Sequence, residues 1–165
     1  SFQLPIKIIR PFNIYGPRQS SRAVIPSIII QALNNKKEIK LGNVKPTRDF
    51  TYVTDTCNAF LDILKIKNFF GNSLNVGSNN EYTIEDIAKK VLAKVNSKAI
   101  IRTEERRVRS EKSEVLRLVC DNSKILKCTN WKPKIKIEKG LDKTIEWFKN
   151  FKNFKNFFKH DIYHI

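Results

Sequence analysis

Two arginines follow a turn-forming segment near the start of the chain, and their position suggests phosphate chemistry. The segment Asn13 to Pro17 contains asparagine, glycine and proline, which favour loops. Arg18 and Arg22 come next, directly before an apolar stretch that is typical of a helix. A helix start attracts anions through its unpaired N–H groups, and arginine offers phosphate a planar, permanent charge. The sequence therefore predicts a loop that binds a phosphate-bearing ligand, with Arg18 and Arg22 as alternative contacts.

An apolar run at residues 6–9, Ile-Lys-Ile-Ile, must position this loop. Such a run predicts a buried strand of a parallel sheet, because strands covered on both faces are nearly continuous in apolar residues. Arg10 and Pro11 should end it, since proline cannot donate to the ladder and restricts the residue before it. Open α/β sheets bind their ligands at the carboxyl ends of such strands.

The rest of the chain alternates between short strands and helices, which predicts an α/β fold. Thr83 and Asp86 form a capping-box pattern at the start of one helix. A second helix should pack through Ala59, Phe60, Ile63 and Leu64. The predicted strands are 39–41, 47–53, 73–77, 99–101 and 118–120; the predicted helices are 24–33, 54–65, 84–95, 141–150 and a short one ending at 127.

The string from Arg10 to Gln19, Arg-Pro-Phe-Asn-Ile-Tyr-Gly-Pro-Arg-Gln, resembles the segment after the catalytic Tyr-x-x-x-Lys of extended short-chain dehydrogenases/reductases. Those are NAD-dependent nucleotide-sugar epimerases and dehydratases. Residues 20–29 and 41–53 most resemble the 4,6-dehydratases of the legionaminic acid pathway, which act on a nucleotide-linked N-acetylglucosamine. The resemblance runs from residue 1 to about 148. It implies the last strands of a Rossmann-like parallel sheet plus the smaller substrate-binding domain.

The resemblance also implies domain boundaries. Residues 1–16 would end the NAD-binding Rossmann domain, and 17–148 would mainly bind the nucleotide-sugar, with elements at about 50–77 returning to the Rossmann sheet. Residues 149–165 repeat Lys-Asn-Phe and are predicted to be a low-complexity tail.

Two arginines match family residues that contact the substrate diphosphate. Arg48 is the first; its alternative role is a surface salt bridge to Asp49. Arg109 is the second, in a string where Ser110 replaces the family's proline, and a merely solvated Arg109 is the alternative. The loss of that proline removes a restraint on the backbone of this loop.

Further contacts follow from the same resemblance. Asn13 matches the asparagine whose amide reaches the substrate near its diphosphate, although it could instead be a turn former. Pro11 and Phe12 resemble the segment that lines the nicotinamide of NAD, and Arg22 resembles a phosphate-side contact. Leu41, with Ile39, matches positions that flank the nucleobase, although an apolar strand pair is more often core.

No catalytic residue is predicted in this chain. It has no glycine-rich dinucleotide turn. Tyr15 and Tyr52 are followed four positions later by Gln19 and Thr56 rather than lysine. The chain is therefore expected to be the C-terminal half of an enzyme that is homodimeric when complete, and to have no turnover alone. A 4-epimerase or decarboxylase of the same family, or a non-catalytic binding module, are the alternatives.

Composition narrows the possible partners. The 165 residues carry a net charge of +16, but the lysines are spread along the chain without a nucleic-acid-binding motif, so no nucleic-acid partner is predicted. No apolar run could span a membrane and no signal peptide is evident, so a cytoplasmic protein is expected. Two histidines give no metal site. The cysteines, Cys57, Cys120 and Cys128, are predicted to be free, buried or partly buried thiols.

Overall fold

A computed structural model of the chain describes residues 4–67, 69–108 and 110–150. Its strands are β1 (Ile8–Pro11), β2 (Ile14–Tyr15), β3 (Glu38–Leu41), β4 (Thr47–Arg48), β5 (Thr51–Tyr52), β6 (Ser73–Val76), β7 (Tyr82–Thr83), β8 (Ile100–Thr103) and β9 (Arg117–Leu118). Its helices are α1 (Val24–Leu33), α2 (Val53–Lys65), α3 (Ile84–Lys94), α4 (Ser123–Cys128) and α5 (Ile137–Lys149). Two short 3₁₀ turns, Glu105–Arg107 and Glu111–Ser113, lie between β8 and β9.

The strands of the described residues form four small sheets that are mostly parallel. Parallel pairs join β1 to β6, β2 to β5, and β3 to β8. In the remaining sheet β4 lies between β7, which is antiparallel to it, and β9, which is parallel to it. Helices connect these strands along the chain, so the predicted α/β class is confirmed.

Strand β1 differs from its prediction in both position and burial. It includes Pro11, because the N–H groups of Ile8 and Phe12 point toward β6 and the Pro11 nitrogen therefore faces the other edge. That edge has no partner strand among residues 4–67, 69–108 and 110–150. Ile6 and Ile8 are 52% and 40% exposed, so the prediction of a buried strand is wrong for the described chain.

The two faces of β1 explain this exposure. The Lys7 ammonium group donates hydrogen bonds to the carbonyls of Ile63 (3.1 Å), Leu64 (2.9 Å) and Ile66 (2.5 Å), which fixes the end of α2 over one face. Side chains alternate across a strand, so Ile6 and Ile8 lie on the opposite face, which no described helix covers.

Helix α2 buries only half of its predicted apolar face. Ala59 and Ile63 pack in a small core with residues of β6, α4 and the following loop. Phe60 and Leu64 are 49% and 71% exposed, so their prediction as core residues is wrong. Each lies one position further along the helix, and this turns them away from the core that Ala59 and Ile63 enter.

The larger core lies between α1, α3 and α5 and is backed by β3. The predicted capping box at the start of α3 is present, with the Thr83 hydroxyl accepting from the Asp86 N–H at 2.9 Å. Helix α5 begins at Ile137, before Gly140, which was predicted to precede it. A Cβ at Gly140 would clash with the Tyr15 hydroxyl, so this glycine serves close packing.

The bounds of two other strands also differ from the predicted ranges. The predicted strand 47–53 is split into β4 and β5, and the strand predicted at 118–120 is found at Arg117–Leu118. Among the described helices, none has the length and apolar character needed to cross a membrane. The repeated tail segment 151–165 lies outside the described residues.

Candidate substrate-binding site

At the carboxyl end of β1, Asn13 is joined to the segment that directly follows Arg48. The chain leaves β1 with the Phe12 N–H bonded to the Val76 carbonyl at 2.8 Å. Asn13 then joins the segment after β4 twice, because its carbonyl accepts from the Thr51 N–H and its side-chain amide donates to the Asp49 carbonyl, both at 3.0 Å. Asn13 is therefore held by a segment distant in sequence and is not a turn former that bonds its own backbone.

The Arg48 guanidinium is mostly buried and partly engaged. Its Nη1 donates to the carbonyls of Thr47 (2.8 Å) and Val115 (2.7 Å), and its Nη2 pairs with the Glu114 carboxylate at 3.4 Å. The side chain is 14% exposed. The ion-pair partner is thus Glu114, and the alternative salt bridge to Asp49 is wrong. An arginine has five N–H donors, so two remain after these three bonds, and the rest of the described chain offers them no partner.

Asp49 is the residue that builds this site, and the sequence reasoning missed its role. Its side chain is fully buried. One carboxylate oxygen accepts from the Ser78 N–H (2.9 Å) and hydroxyl (2.6 Å). The other accepts from the N–H groups of Asn79 (2.8 Å) and Cys120 (3.2 Å). Four donors satisfy the charge, and the loops after β6 and β9 are thereby fixed beside Arg48.

The same junction explains Gly77 and Cys120. A Cβ at Gly77 would clash with the Cys120 side chain and approach Asp49 to 2.7 Å, so only glycine fits there. Burial, with a contribution from the neighbouring carboxylates, raises the pKa of the Cys120 thiol to about 12. Cys120 is therefore a neutral packing residue. Cys57 and Cys128 are exposed free thiols, which contradicts the expectation of burial for these two.

The other predicted contacts lie apart from this cluster or are buried. Arg22 is exposed before α1, and its backbone N–H bonds the Ser20 hydroxyl at 3.3 Å. Arg18 is also exposed and has a positive φ of 66°. Leu41 is 4% exposed and Ile39 fully buried, and both pack in the larger core.

Arg109 lies outside the described residues. Nothing in the structure therefore bears on its predicted contact with the diphosphate. The 3₁₀ turn Glu105–Arg107 and Ser110 flank it in sequence. Its role remains a prediction from the resemblance.

Tyr15 has a structural role. It is 1% exposed, its hydroxyl donates to the Ile137 carbonyl at 3.4 Å, and burial raises the pKa of its phenol well above the usual value. Its ring makes edge contacts with Phe50 and Tyr52, at centroid distances of 6.3 Å and 5.5 Å. This tyrosine therefore joins β2, β5 and α5 and is not available to exchange a proton with a ligand.

The residues present could contact the nicotinamide of NAD but not hold the whole dinucleotide. None of the five glycines forms a glycine-rich turn between a strand and a helix, which is the usual cradle for a pyrophosphate. Pro11 is exposed at the end of β1, and the Phe12 N–H is already bonded. These two residues could contact a nicotinamide, but they could not hold the rest of NAD.

No group of three or more potential metal ligands occurs within the described ranges.

Comparisons with known proteins agree with this architecture. Residues 1–144 match the sequence model of the family described as GDP-mannose 4,6 dehydratase. Human dTDP-D-glucose 4,6-dehydratase is 34% identical over 151 residues, covering 90% of this chain and 43% of that protein. A UDP-N-acetyl-alpha-D-glucosaminuronate decarboxylase from Bacillus cytotoxicus is 33% identical, covering 88% of this chain and 47% of that protein.

A solved structure shares the fold. UDP-glucuronic acid 4-epimerase from Bacillus cereus, in complex with UDP-glucuronic acid and NAD, superposes with a TM-score of 0.81 at 28% identity. The match covers 90% of this chain and 46% of that one, so the chain spans less than half the length of these relatives. Sequence and fold together establish that the chain belongs to the GDP-mannose 4,6 dehydratase family, within the extended short-chain dehydrogenases/reductases.

Proposed function

We propose that this chain is the substrate-binding part of an NAD-dependent nucleotide-sugar 4,6-dehydratase. The substrate proposed is a nucleotide-linked N-acetylglucosamine, as in the legionaminic acid pathway, and the product is its 4-keto-6-deoxy form. One observation carries the proposal: Arg48 keeps two N–H donors without a described partner, and it directly precedes Asp49, whose carbonyl fixes the Asn13 amide. Two donors on one planar cation suit the oxygens of a diphosphate.

Each predicted contact would then have a defined task. Arg48 and Arg109 neutralise the diphosphate, Asn13 orients the sugar side of it, and Arg22 approaches a phosphate from the loop before α1. Leu41, although it packs in the core, lies at the end of β3, where its 4% exposed edge could border the nucleobase. NAD, when bound, would take up and return the hydride.

A further part of the enzyme must supply the dinucleotide turn and the catalytic Tyr-x-x-x-Lys. Two features of β1 support its docking there. The edge formed by the backbone of Lys7 and Ile9 is unpaired in the described chain, and the face carrying Ile6 and Ile8 is uncovered. Parallel sheets are normally covered on both faces, so this surface suits further strands and helices of a Rossmann domain. A homodimer is proposed for the complete enzyme.

A 4-epimerase or a decarboxylase is the second candidate. The Bacillus cytotoxicus decarboxylase and the Bacillus cereus epimerase cover this chain about as fully as the human dehydratase does. The residues that select among these reactions are expected outside this chain. A non-catalytic binding module would have the same diphosphate contacts and no reaction.

Calorimetric titration of the chain with GDP, UDP and dTDP tests the binding role directly. We expect at least one to bind and Arg48→Ala to weaken its affinity by about tenfold or more, because charge-assisted hydrogen bonds contribute about 1.5–3 kcal/mol. Arg102→Ala is the matched control, since Arg102 is an exposed arginine on β8 that pairs with Glu38 of β3. Failure of all three nucleotides to bind, or equal affinity in Arg48→Ala, would contradict the proposal.

The dehydratase assignment needs a separate test. Incubation of the chain with NAD and a nucleotide-linked N-acetylglucosamine should give no 4-keto-6-deoxy product. Adding a Rossmann half from a relative of the family should restore product formation if the two parts associate. Reproducible turnover by the chain alone would contradict the proposal that the catalytic residues lie in a further part of the enzyme.

A further inference from the structure

We propose that Glu114 is a positioning residue for Arg48: its carboxylate holds one end of the guanidinium so that the unused N–H donors face the diphosphate. The inference rests on the proposed function, because it concerns the same arginine. It adds that Glu114 has opposing effects, since it orients the cation and its negative charge also repels the ligand.

The geometry favours an orienting role. Glu114 and Val115 are adjacent, and they bind different nitrogens of the guanidinium, Nη2 at 3.4 Å and Nη1 at 2.7 Å. Two anchors on two nitrogens restrict rotation of the planar group, which a single contact would not. The Nε–H has no hydrogen-bond partner among the residues that the structure describes, so it stays available to a ligand.

The backbone around Glu114 is itself fixed to β4. The Thr47 N–H bonds the Leu116 carbonyl at 2.8 Å, and the Asp49 N–H bonds the Leu118 carbonyl at 3.0 Å. Arg48 lies between these two bonds, so the segment after Glu114 runs directly alongside Arg48. The anchor is therefore built into the β4–β9 pairing and does not depend on a mobile side chain alone.

Burial makes the pair more than a surface contact. The side chains of Arg48 and Glu114 are 14% and 12% exposed, whereas exposed ion pairs contribute little because water screens them. In this partly shielded place a carboxylate close to a bound diphosphate would also repel it measurably. Removing the charge and removing the side chain should therefore have opposite effects on affinity.

Two substitutions separate these effects. Glu114→Gln keeps an oxygen acceptor of nearly the same shape and removes the charge, so it should strengthen nucleoside diphosphate binding by about two- to fivefold. Glu114→Ala removes the anchor on Nη2, so the guanidinium can pivot about Nη1, which the Thr47 and Val115 carbonyls still hold. Binding should then weaken by about three- to tenfold.

Glu81 provides matched controls on the same sheet. Glu81 pairs with Arg117 and accepts from the hydroxyl of Thr47, the residue before Arg48. Because side chains alternate along β4, Thr47 and Arg48 point to opposite faces of that strand. Glu81→Gln and Glu81→Ala should leave the affinity for the nucleotide unchanged. Any general effect of disturbing this sheet would appear in them as well.

The experiment titrates the chain and these variants with the nucleotide among GDP, UDP and dTDP that binds unmodified protein. In parallel, NMR of the arginine Nε–H groups, assigned with Arg48→Lys, follows the order of the Arg48 signal. We expect Glu114→Ala to lose order and affinity, and Glu114→Gln to retain order and gain affinity.

Three outcomes would overturn the inference. Unchanged affinity in both Glu114 variants, with Arg48→Ala still impaired, would refute it and leave the proposed function standing. Equal weakening in both variants would refute the opposing roles of the carboxylate. Absence of nucleotide binding by the unmodified chain would instead refute the proposed function, and this inference with it.

Discussion

Asp49 should be the most sensitive polar residue of the site, and Asp49→Asn tests this. The carboxylate is fully buried and accepts four hydrogen bonds, two on each oxygen. Asparagine keeps one acceptor and replaces the other with an NH₂ donor. If the NH₂ group faces Asn79 and Cys120, two backbone N–H groups lose their acceptor. If it faces Ser78, the Ser78 N–H loses its acceptor, whereas the hydroxyl can rotate and accept from the amide.

The expected loss can be worked from those contacts. A buried hydrogen bond to a charged group contributes about 1.5–3 kcal/mol, so losing one or two lowers the free energy of unfolding by about 1.5–6 kcal/mol. That is a large part of the total stability of an ordinary domain, about 5–15 kcal/mol. Urea unfolding followed by circular dichroism measures it, with Asp142→Asn as the control, because Asp142 is an exposed partner of Lys94. If Asp49→Asn unfolds within about 0.5 kcal/mol of the unmodified protein, Asp49 is not the hub of the site.

Three further outcomes are expected. Gly140→Ala should lower the melting temperature by several degrees, because the new methyl group on α5 would clash with the Tyr15 hydroxyl. An unchanged melting temperature would refute this close packing. At pH 8 a thiol reagent should modify the two exposed cysteines quickly and Cys120 only after denaturation, since burial raises the pKa of Cys120 to about 12 and keeps it protonated. Rapid modification of all three thiols would contradict this. Ile8→Lys should reduce self-association in size-exclusion chromatography without lowering stability, because Ile8 is 40% exposed beside an unpaired edge; increased association would count against the interpretation.

The features that depend on a local sequence pattern are the ones that the sequence predicts correctly. The Thr83–Asp86 cap and the apolar spacing of α3 need only neighbours three and four residues away, and both are observed. The partner of Arg48 was not predictable in this way, because Glu114 is 66 residues distant and reaches it only through the β4–β9 pairing. The sequence suggests Asp49 only as an ion-pair partner, since nothing local reveals that the loops after β6 and β9 both donate to its carboxylate.

Burial was harder still, because it depends on what covers an element. The pattern at residues 6–9 and the apolar residues of α2 are those of core positions, yet Ile8, Phe60 and Leu64 are exposed in the described chain. Periodicity identifies which face is apolar, but it does not identify the element that packs on that face.

Pro11 connects this open surface to the candidate site. Its nitrogen faces the edge of β1 that is unpaired among the described residues, and it has no hydrogen to donate. A strand added there could pair with Ile9 but not continue the same ladder past Pro11. Two parallel strands that stop pairing at their carboxyl ends diverge and leave a crevice between them, which is where open α/β sheets bind ligands. Asn13 lies just beyond that point and is joined to the backbone of Asp49, next to Arg48. In the complete enzyme proposed above, the same proline that ends strand pairing would therefore open the space in which cofactor and diphosphate meet.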